Sequence, residues 1–102
     1  MAGGPLSTLN LPISANAYQQ NTDGNDFYLM VLDDNMSNLI YATYFGGDQA
    51  TEHVDGGTSR FDPLGRVYQA VCSCPSISGS GMTTTSNAFS SSHFAPCDIG
   101  VF

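Results

Sequence analysis

The residues best able to form a covalent or metal bond in this chain are three cysteines, Cys72, Cys74 and Cys97. The Cys-Ser-Cys spacing differs from the Cys-x-x-Cys pair found in zinc sites and redox motifs. An odd number of cysteines favours one disulfide and one free thiol. Reduced cysteines in a reducing compartment are the alternative interpretation.

Two acidic segments could bind a cation or exchange protons. The first contains Asp48, Glu52, His53 and Asp55, whose oxygen atoms and imidazole suit a hard cation or an acid–base pair. Its spacing matches no established site, and a solvated acidic loop, in which Asp55 shapes the Asp-Gly-Gly turn, is the favoured interpretation.

The second acidic segment is Asn-Thr-Asp-Gly-Asn-Asp, which contains Asp23 and Asp26. Its composition resembles that of a calcium loop, but it lacks the Asp-x-Asp-x-Asp-Gly order and the distant glutamate of an EF-hand. Calcium is therefore the one cofactor considered, and no metal site is predicted firmly.

Catalytic signatures are absent from the sequence. No Gly-x-Ser-x-Gly elbow occurs, and neither His53 nor His93 has a predictable carboxylate to orient it. We therefore expect no enzyme activity and assign no catalytic residue. Four tyrosines could form a platform for sugars, although packing between sheets is the favoured role: Tyr28, Tyr41, Tyr44 and Tyr68.

Length and composition narrow the class of protein further. The 102 residues suit one small domain, and a net charge of -7 argues against nucleic acid as a partner. The charged fraction is only 11%, and the abundant Ser, Thr, Asn and Gly suit strands and turns outside the cytosol. The first ten residues do not resemble a signal peptide, and no segment is long and apolar enough to insert into a membrane.

The elements that must position these residues are predicted to be strands, because no window shows helical periodicity without interruption. Residues 26–32 and 39–45 are dense in β-branched and aromatic side chains and flank a polar turn, which predicts a hairpin. Both faces of its first strand are apolar, one carrying Phe27, Leu29 and Val31 and the other Tyr28, Met30 and Leu32. Such a strand needs cover on both sides, as in a propeller or solenoid; a buried strand of an ordinary sandwich is the alternative.

A second hairpin is predicted from residues 57–62 and 67–72. Pro63 and Gly65 between them suit a type I turn that closes into a bulge. The four glycines and mixed charge of residues 46–57 predict a loop between the hairpins, and residues 73–92 predict a long connection.

The chain also contains an internal repeat. Asn16-Ala17-Tyr18 recurs as Asn87-Ala88-Phe89 at an offset of 71, and Asp26 corresponds to Asp98 at an offset of 72. This indicates one unit over about residues 26–97 and the opening strand of a second unit over 98–102. A single unit cannot bury both of its faces, so neighbouring units are expected, in the same polypeptide or in other copies.

The runs YATYFGG, DGGTSRFDPLGRVYQAVCSC, TTTSNAFS and CDIGVF resemble the SBBP-type β-propeller repeats of large secreted proteins. These repeats are known especially from Bacteroidetes proteins associated with gliding motility and type IX secretion. The resemblance covers Leu11 to Phe102 and implies a non-catalytic scaffold, adhesion or carbohydrate-binding role outside the cell or at its surface.

Taken together, these patterns predict an all-β chain with one antiparallel four-stranded unit, similar to a propeller blade, plus the first strand of a following unit. The repeat places the start of that strand near the end of residues 67–72, so Cys97 is expected to pair with Cys72 or Cys74, preferably Cys74. Two other functions compete with the scaffold role: self-assembly by donation of residues 97–102 to a neighbour, and a glycan hydrolase or lyase using Asp48, Glu52 or His53.

Overall fold

The structure, a computed structural model, is all-β with no helix in the residues that it describes, which are 11–54, 59–75, 81–92 and 96–101. The all-β prediction is therefore confirmed. The strands are β1 (Phe27–Leu32), β2 (Leu39–Phe45), β3 (Ala50–His53), β4 (Arg60–Phe61), β5 (Val67–Tyr68), β6 (Ala70–Pro75) and β7 (Asp98–Val101). The described part of the chain contains no helix that could cross a membrane.

The first hairpin forms as predicted. β1 pairs antiparallel with β2, from Phe27 opposite Phe45 to Leu32 opposite Leu39, with one irregularity in register near the turn. Asp33 stabilises that turn, because Asn38 Nδ2 and the Ser37 N–H donate to its carboxylate at 2.6 and 2.7 Å. These bonds lower the pKa of Asp33 to about 2.

Residues 11–20 run along the free edge of β2. The Ser14 N–H donates to the carbonyl of Ala42 at 3.1 Å, and the Tyr44 N–H donates to the carbonyl of Gln19 at 3.2 Å. The ring of Tyr18 lies 5.5 Å from that of Phe45. An irregular segment therefore supplies the backbone partners that β2 would otherwise lack.

The second hairpin also forms. β4 pairs with β5, and the Asp62 N–H and the Arg66 carbonyl close the turn at 3.1 Å. Gly65 has a φ of +78°, as a type I turn followed by a bulge requires. The strand predicted over 67–72 is interrupted by Gln69 and continues to Pro75, so it ends three residues later than expected.

The prediction of a loop over residues 46–57 is wrong for its middle part. β3 lies there and pairs with β6, with Glu52 opposite Ser73 and His53 opposite Cys72. Ala50 and Glu52 are each 1% exposed, so Glu52 does not belong to a solvated acidic loop. Glycines and charged residues normally indicate a solvent-exposed loop. Here the alternation of residues 50–53 along the strand places the small side chain of Ala50 and the acidic side chain of Glu52 on the buried face of a sheet.

The strands form three small sheets of order β1-β2, β3-β6-β7 and β4-β5, and no closed sheet occurs among the described residues. The expected single four-stranded unit is thus divided. The pairing register of β4 with β5 differs from that of β3 with β6. These four strands therefore form two separate ladders and not one long hairpin. β7 pairs with β6 of the same chain.

The interior is more polar than the sequence suggests. Among the described residues, the buried apolar side chains are those of Ala42, Tyr44, Ala50 and Val71, and they share the interior with Asp26, Thr43, Glu52, Gln69 and Ser73. On β1 the two faces are half-covered, except at Met30, which is 54% exposed. The structure thus covers most, but not all, of the strand predicted to need cover on both sides.

Candidate functional site: a buried carboxyl pair beside a cysteine and histidine cluster

Asp26 and Glu52 form a buried carboxyl pair at the junction of two sheets. Asp26 immediately precedes β1, and Glu52 lies in β3; their exposed fractions are 3% and 1%. The Glu52 N–H donates to the Asn25 carbonyl at 2.9 Å, which ties β3 to the start of β1. The sequence assigned these two acids to different candidate sites, and the fold brings them together.

Glycine at position 46 makes this approach possible. A Cβ at Gly46 would lie within 2.5 Å of both Asp26 Oδ1 and Glu52 Oε2, so both oxygens converge on the same point beside the backbone. At this proximity two charged carboxylates repel each other strongly in a dry environment. The Gly46-Gly47 pair after an aromatic strand is a signal of close backbone approach that the sequence did offer.

One oxygen of each carboxyl group is hydrogen-bonded and the other is not. Gln19 Nε2 donates to Asp26 Oδ2 at 3.1 Å, while Glu52 Oε1 accepts from Ser73 Oγ at 2.8 Å and from the Gly47 N–H at 3.3 Å. Asp26 Oδ1 and Glu52 Oε2 have no hydrogen-bond partner among the described residues. Because both oxygens lie beside Gly46 and lack a donor, we interpret the two carboxyl groups as a pair that shares a proton.

Burial raises the pKa of Asp26. Burial also raises the pKa of Glu52, to which the negative charge of Asp26 adds. The chain offers little positive charge to oppose this, because it has no lysine and its two arginines lie exposed at the β4-β5 hairpin. Of these, Arg66 forms an ion pair with Asp62 at 3.8 Å. A proton is therefore the simplest neutralising species for the pair.

Stability is expected to fall as pH rises. Both pKa values are higher in the folded chain than in the unfolded chain. At a pH below the ordinary pKa values of 3.8 and 4.5, the pair is protonated in both states and does not lower the free energy of unfolding. Stability is lost as pH rises from these ordinary pKa values to the raised ones, by at most about 1.4 kcal/mol per pH unit for each group.

Glu52→Gln places an amide donor toward Asp26 Oδ1 and should raise the free energy of unfolding at pH 7 by about 1–2 kcal/mol. Urea unfolding followed by circular dichroism between pH 4 and 8 measures both effects.

Asp48→Asn is the matched control, because Asp48 is exposed and its substitution removes the same formal charge. We expect this variant to keep the pH dependence of the parent chain. A Glu52→Gln variant that is less stable than the parent at pH 7, with an unaltered pH dependence, would contradict the shared-proton interpretation.

A second cluster occupies the opposite face of the three-stranded sheet. The ligand atoms of His53, Cys72 and Cys74 all lie within 4.8 Å of one another, and among the described residues they are the only such group of three. Cys74 forms a disulfide with Cys97, and Cys72 is a free thiol. This confirms the preferred pairing and excludes Cys72 from the disulfide in this structure.

An open groove with a volume of about 720 Å³ lies where residues 18–21 approach the end of β2. The residues that line it include Tyr18, Phe45, Gln20, Asn21 and Asp48. An aromatic ring beside amide and carboxylate groups is suited to a polar ligand with apolar faces. Carbohydrate binding stays a prediction.

The other predicted site residues are dispersed. Asp23 is exposed, and its Oδ1 accepts from the Asn25 N–H at 2.9 Å, so it shapes a turn. Asp55 and His93 lie outside the described residues. The rings of Tyr28 and Tyr44 are in contact in a tilted arrangement, with centroids 5.5 Å apart, whereas Tyr41 lies on the other face of β2 because it is three residues from Tyr44. The tyrosines therefore do not form one platform.

Calcium at Asp23 and Asp26 stays a prediction. Glu52 would be a further oxygen ligand near Asp26, a contribution that the spacing of the sequence could not indicate. Comparisons of this chain with protein families, with curated proteins and with solved structures found no match.

Proposed function

We propose that this chain is a non-catalytic structural module of a secreted or cell-surface protein, which works by packing against neighbouring β units of its own kind. The observation that carries this proposal is a turn that occurs twice at the repeat distance of 71 residues. The Ala17 N–H donates to the Ser14 carbonyl at 3.0 Å, and the Ala88 N–H donates to the Thr85 carbonyl at 3.0 Å.

The repeat extends beyond the turn itself. β1 begins ten residues after Ala17, and β7 begins ten residues after Ala88. The aromatic residue that follows each alanine is exposed, Tyr18 by 67% and Phe89 fully. Equal backbone conformation at equal spacing supports a structural repeat more strongly than a three-residue sequence match does.

Equivalence of β1 and β7 has a consequence for assembly. β1 uses one edge to pair with β2, whereas β7 uses one edge to pair with β6. If the two strands are equivalent, the second edge of β7 suits a β2-like strand of a neighbouring unit. That pairing would complete a four-stranded antiparallel sheet of order β3-β6-β7-β2, in which the last strand comes from the neighbour.

Exposed apolar side chains on the same strand support this arrangement. Ile99 and Val101 are 75% and 73% exposed and lie on one face of β7. Isolated exposed apolar residues are ordinary, but two on one short strand next to an open edge favour contact with another sheet. The disulfide beside β7 is consistent with an oxidising compartment, which supports a location outside the cytosol.

We expect the purified chain to associate reversibly, with a mass in multi-angle light scattering that rises with concentration. The double substitution Ile99→Lys and Val101→Lys should weaken association by about tenfold or more, because it places two charges at the contact. Leu64→Lys is the control, since Leu64 is equally exposed at the tip of the β4-β5 hairpin. A chain that stays monomeric and folded up to millimolar concentration would contradict the need for neighbours.

A further inference from the structure

The cysteines and His53 share one face of three adjacent strands. His53 in β3 lies opposite Cys72 in β6, and Cys74, two residues along β6, is disulfide-bonded to Cys97, the residue before β7. Side chains two residues apart on a strand point to the same face, so Cys72 and Cys74 are neighbours there. His53, Cys72 and Cys74 thus lie together on one face, and the disulfide brings Cys97, 23 residues after Cys74, next to this group.

The distances in this cluster match those of tetrahedral zinc. With zinc–sulfur bonds of about 2.3 Å, two sulfur ligands of a tetrahedral site lie about 3.8 Å apart. The Sγ atoms of Cys72 and Cys74 are separated by 3.7 Å. A ligand nitrogen of His53 lies within 4.8 Å of both sulfur atoms. The Cys97 sulfur is bonded to that of Cys74 but is not among the ligand atoms that lie within 4.8 Å of one another, so after reduction Cys97 has to shift to become the fourth ligand.

We propose that reduction of this disulfide converts the face into a zinc site whose four ligands are His53, Cys72, Cys74 and Cys97. A dithiol reductant supplies two electrons and two protons, is itself oxidised to a disulfide, and leaves thiols at Cys74 and Cys97. Zn²⁺ then displaces one proton from each of three thiols, and neutral His53 contributes a nitrogen. In the oxidised chain the bridged sulfurs are not thiolates, so the same face does not hold zinc.

Partial burial favours this conversion. His53, Cys72 and Cys74 are neither fully buried nor fully exposed, so a reductant and a metal ion can reach them while the strands still hold the ligand geometry. The pairing of β3 with β6 positions three of the ligands independently of the disulfide. Zinc would then replace the disulfide as the link between β6 and the start of β7.

Cobalt(II) titration of the full chain tests the proposal. In the presence of a phosphine reductant, we expect one Co²⁺ per chain with the visible absorption of a tetrahedral thiolate site, and displacement of Co²⁺ by Zn²⁺. The oxidised chain should give no such absorption. Circular dichroism of the reduced chain should show the β-sheet signal with Zn²⁺ present, which separates a folded site from metal capture by an unfolded chain.

Single substitutions assign the ligands. Cys72→Ser leaves the disulfide intact, so its folding is checked in the oxidised state; once reduced, it should bind zinc about tenfold or more weakly, as should His53→Ala. Asp48→Asn is the control for adventitious binding by surface acids and should bind as the parent does. Parent-like zinc affinity in reduced Cys72→Ser, no binding by the reduced parent, or binding without the β-sheet signal would each overturn the proposal.

Discussion

Replacing both Cys74 and Cys97 by serine is expected to lower the free energy of unfolding by about 3 kcal/mol. The bridge spans 23 residues and joins β6 to the start of β7. Its removal restores the freedom of this connection in the unfolded chain. In the described part of this connection, residues 83–92 are exposed, and Met82 packs beside Gly100 of β7.

Thermal or urea unfolding followed by circular dichroism, at neutral pH and without reductant, measures this loss. Cys72→Ser is the control, since Cys72 is the free thiol and its substitution keeps the bridge. We expect it to change the free energy of unfolding by less than about 1 kcal/mol. Equal stability of the double variant and the parent would show that β7 is held by its pairing with β6 alone.

Gly46→Ala is expected to destabilise the chain by about 1–3 kcal/mol, the usual cost of overpacking a buried site. The added methyl group would lie within 2.5 Å of Asp26 Oδ1 and Glu52 Oε2. Neither carboxyl group can move away without losing hydrogen bonds to Gln19, Ser73 or Gly47. Urea unfolding at pH 5 and pH 7 measures the effect and separates it from the titration of the pair.

Gly65→Ala provides the contrast for this prediction. At Gly65 a Cβ would meet no atom within 4 Å, but the φ of +78° disfavours any residue with a side chain. Its cost should be about 1–2 kcal/mol and should come from the backbone alone. Gly65→Asn should restore part of the loss, because asparagine tolerates this conformation, whereas Gly46→Asn should be worse than Gly46→Ala. The opposite order would place the crowding at Gly65 rather than beside the carboxyl pair.

The two candidate sites are linked through β3. Glu52 points to the buried face and meets Asp26, while its neighbour His53 points to the other face and meets the cysteines. The alternation of a strand therefore places a proton-binding pair and a potential metal site on opposite sides of one short element. For this reason β3, predicted from the sequence to be a loop, is the element on which most of the candidate chemistry depends.

Local interactions explain what could be predicted from the sequence. The β1-β2 hairpin follows from a dense run of strand-forming residues on each side of a polar turn, and the tip of the β4-β5 hairpin follows from Pro63 and Gly65. The Cys74–Cys97 bridge was predictable because the internal repeat placed the next strand near the end of the previous one. Each of these features depends on residues close in sequence or on a regular spacing.

The formation of β3 and the meeting of the two buried carboxyl groups were determined only by the tertiary structure. Residues 50–53 carry no strong strand signal, and they form β3 because β6 offers a partner and the Asn25 carbonyl accepts the Glu52 N–H. Asp26 and Glu52 are 26 residues apart, and although the Gly46-Gly47 pair signals a close backbone approach, the sequence does not indicate that these two carboxyl groups are what approaches it. Propensity and spacing act over a few residues, whereas burial of a carboxyl group depends on which distant backbone covers it, and that is determined only when the sheets pack.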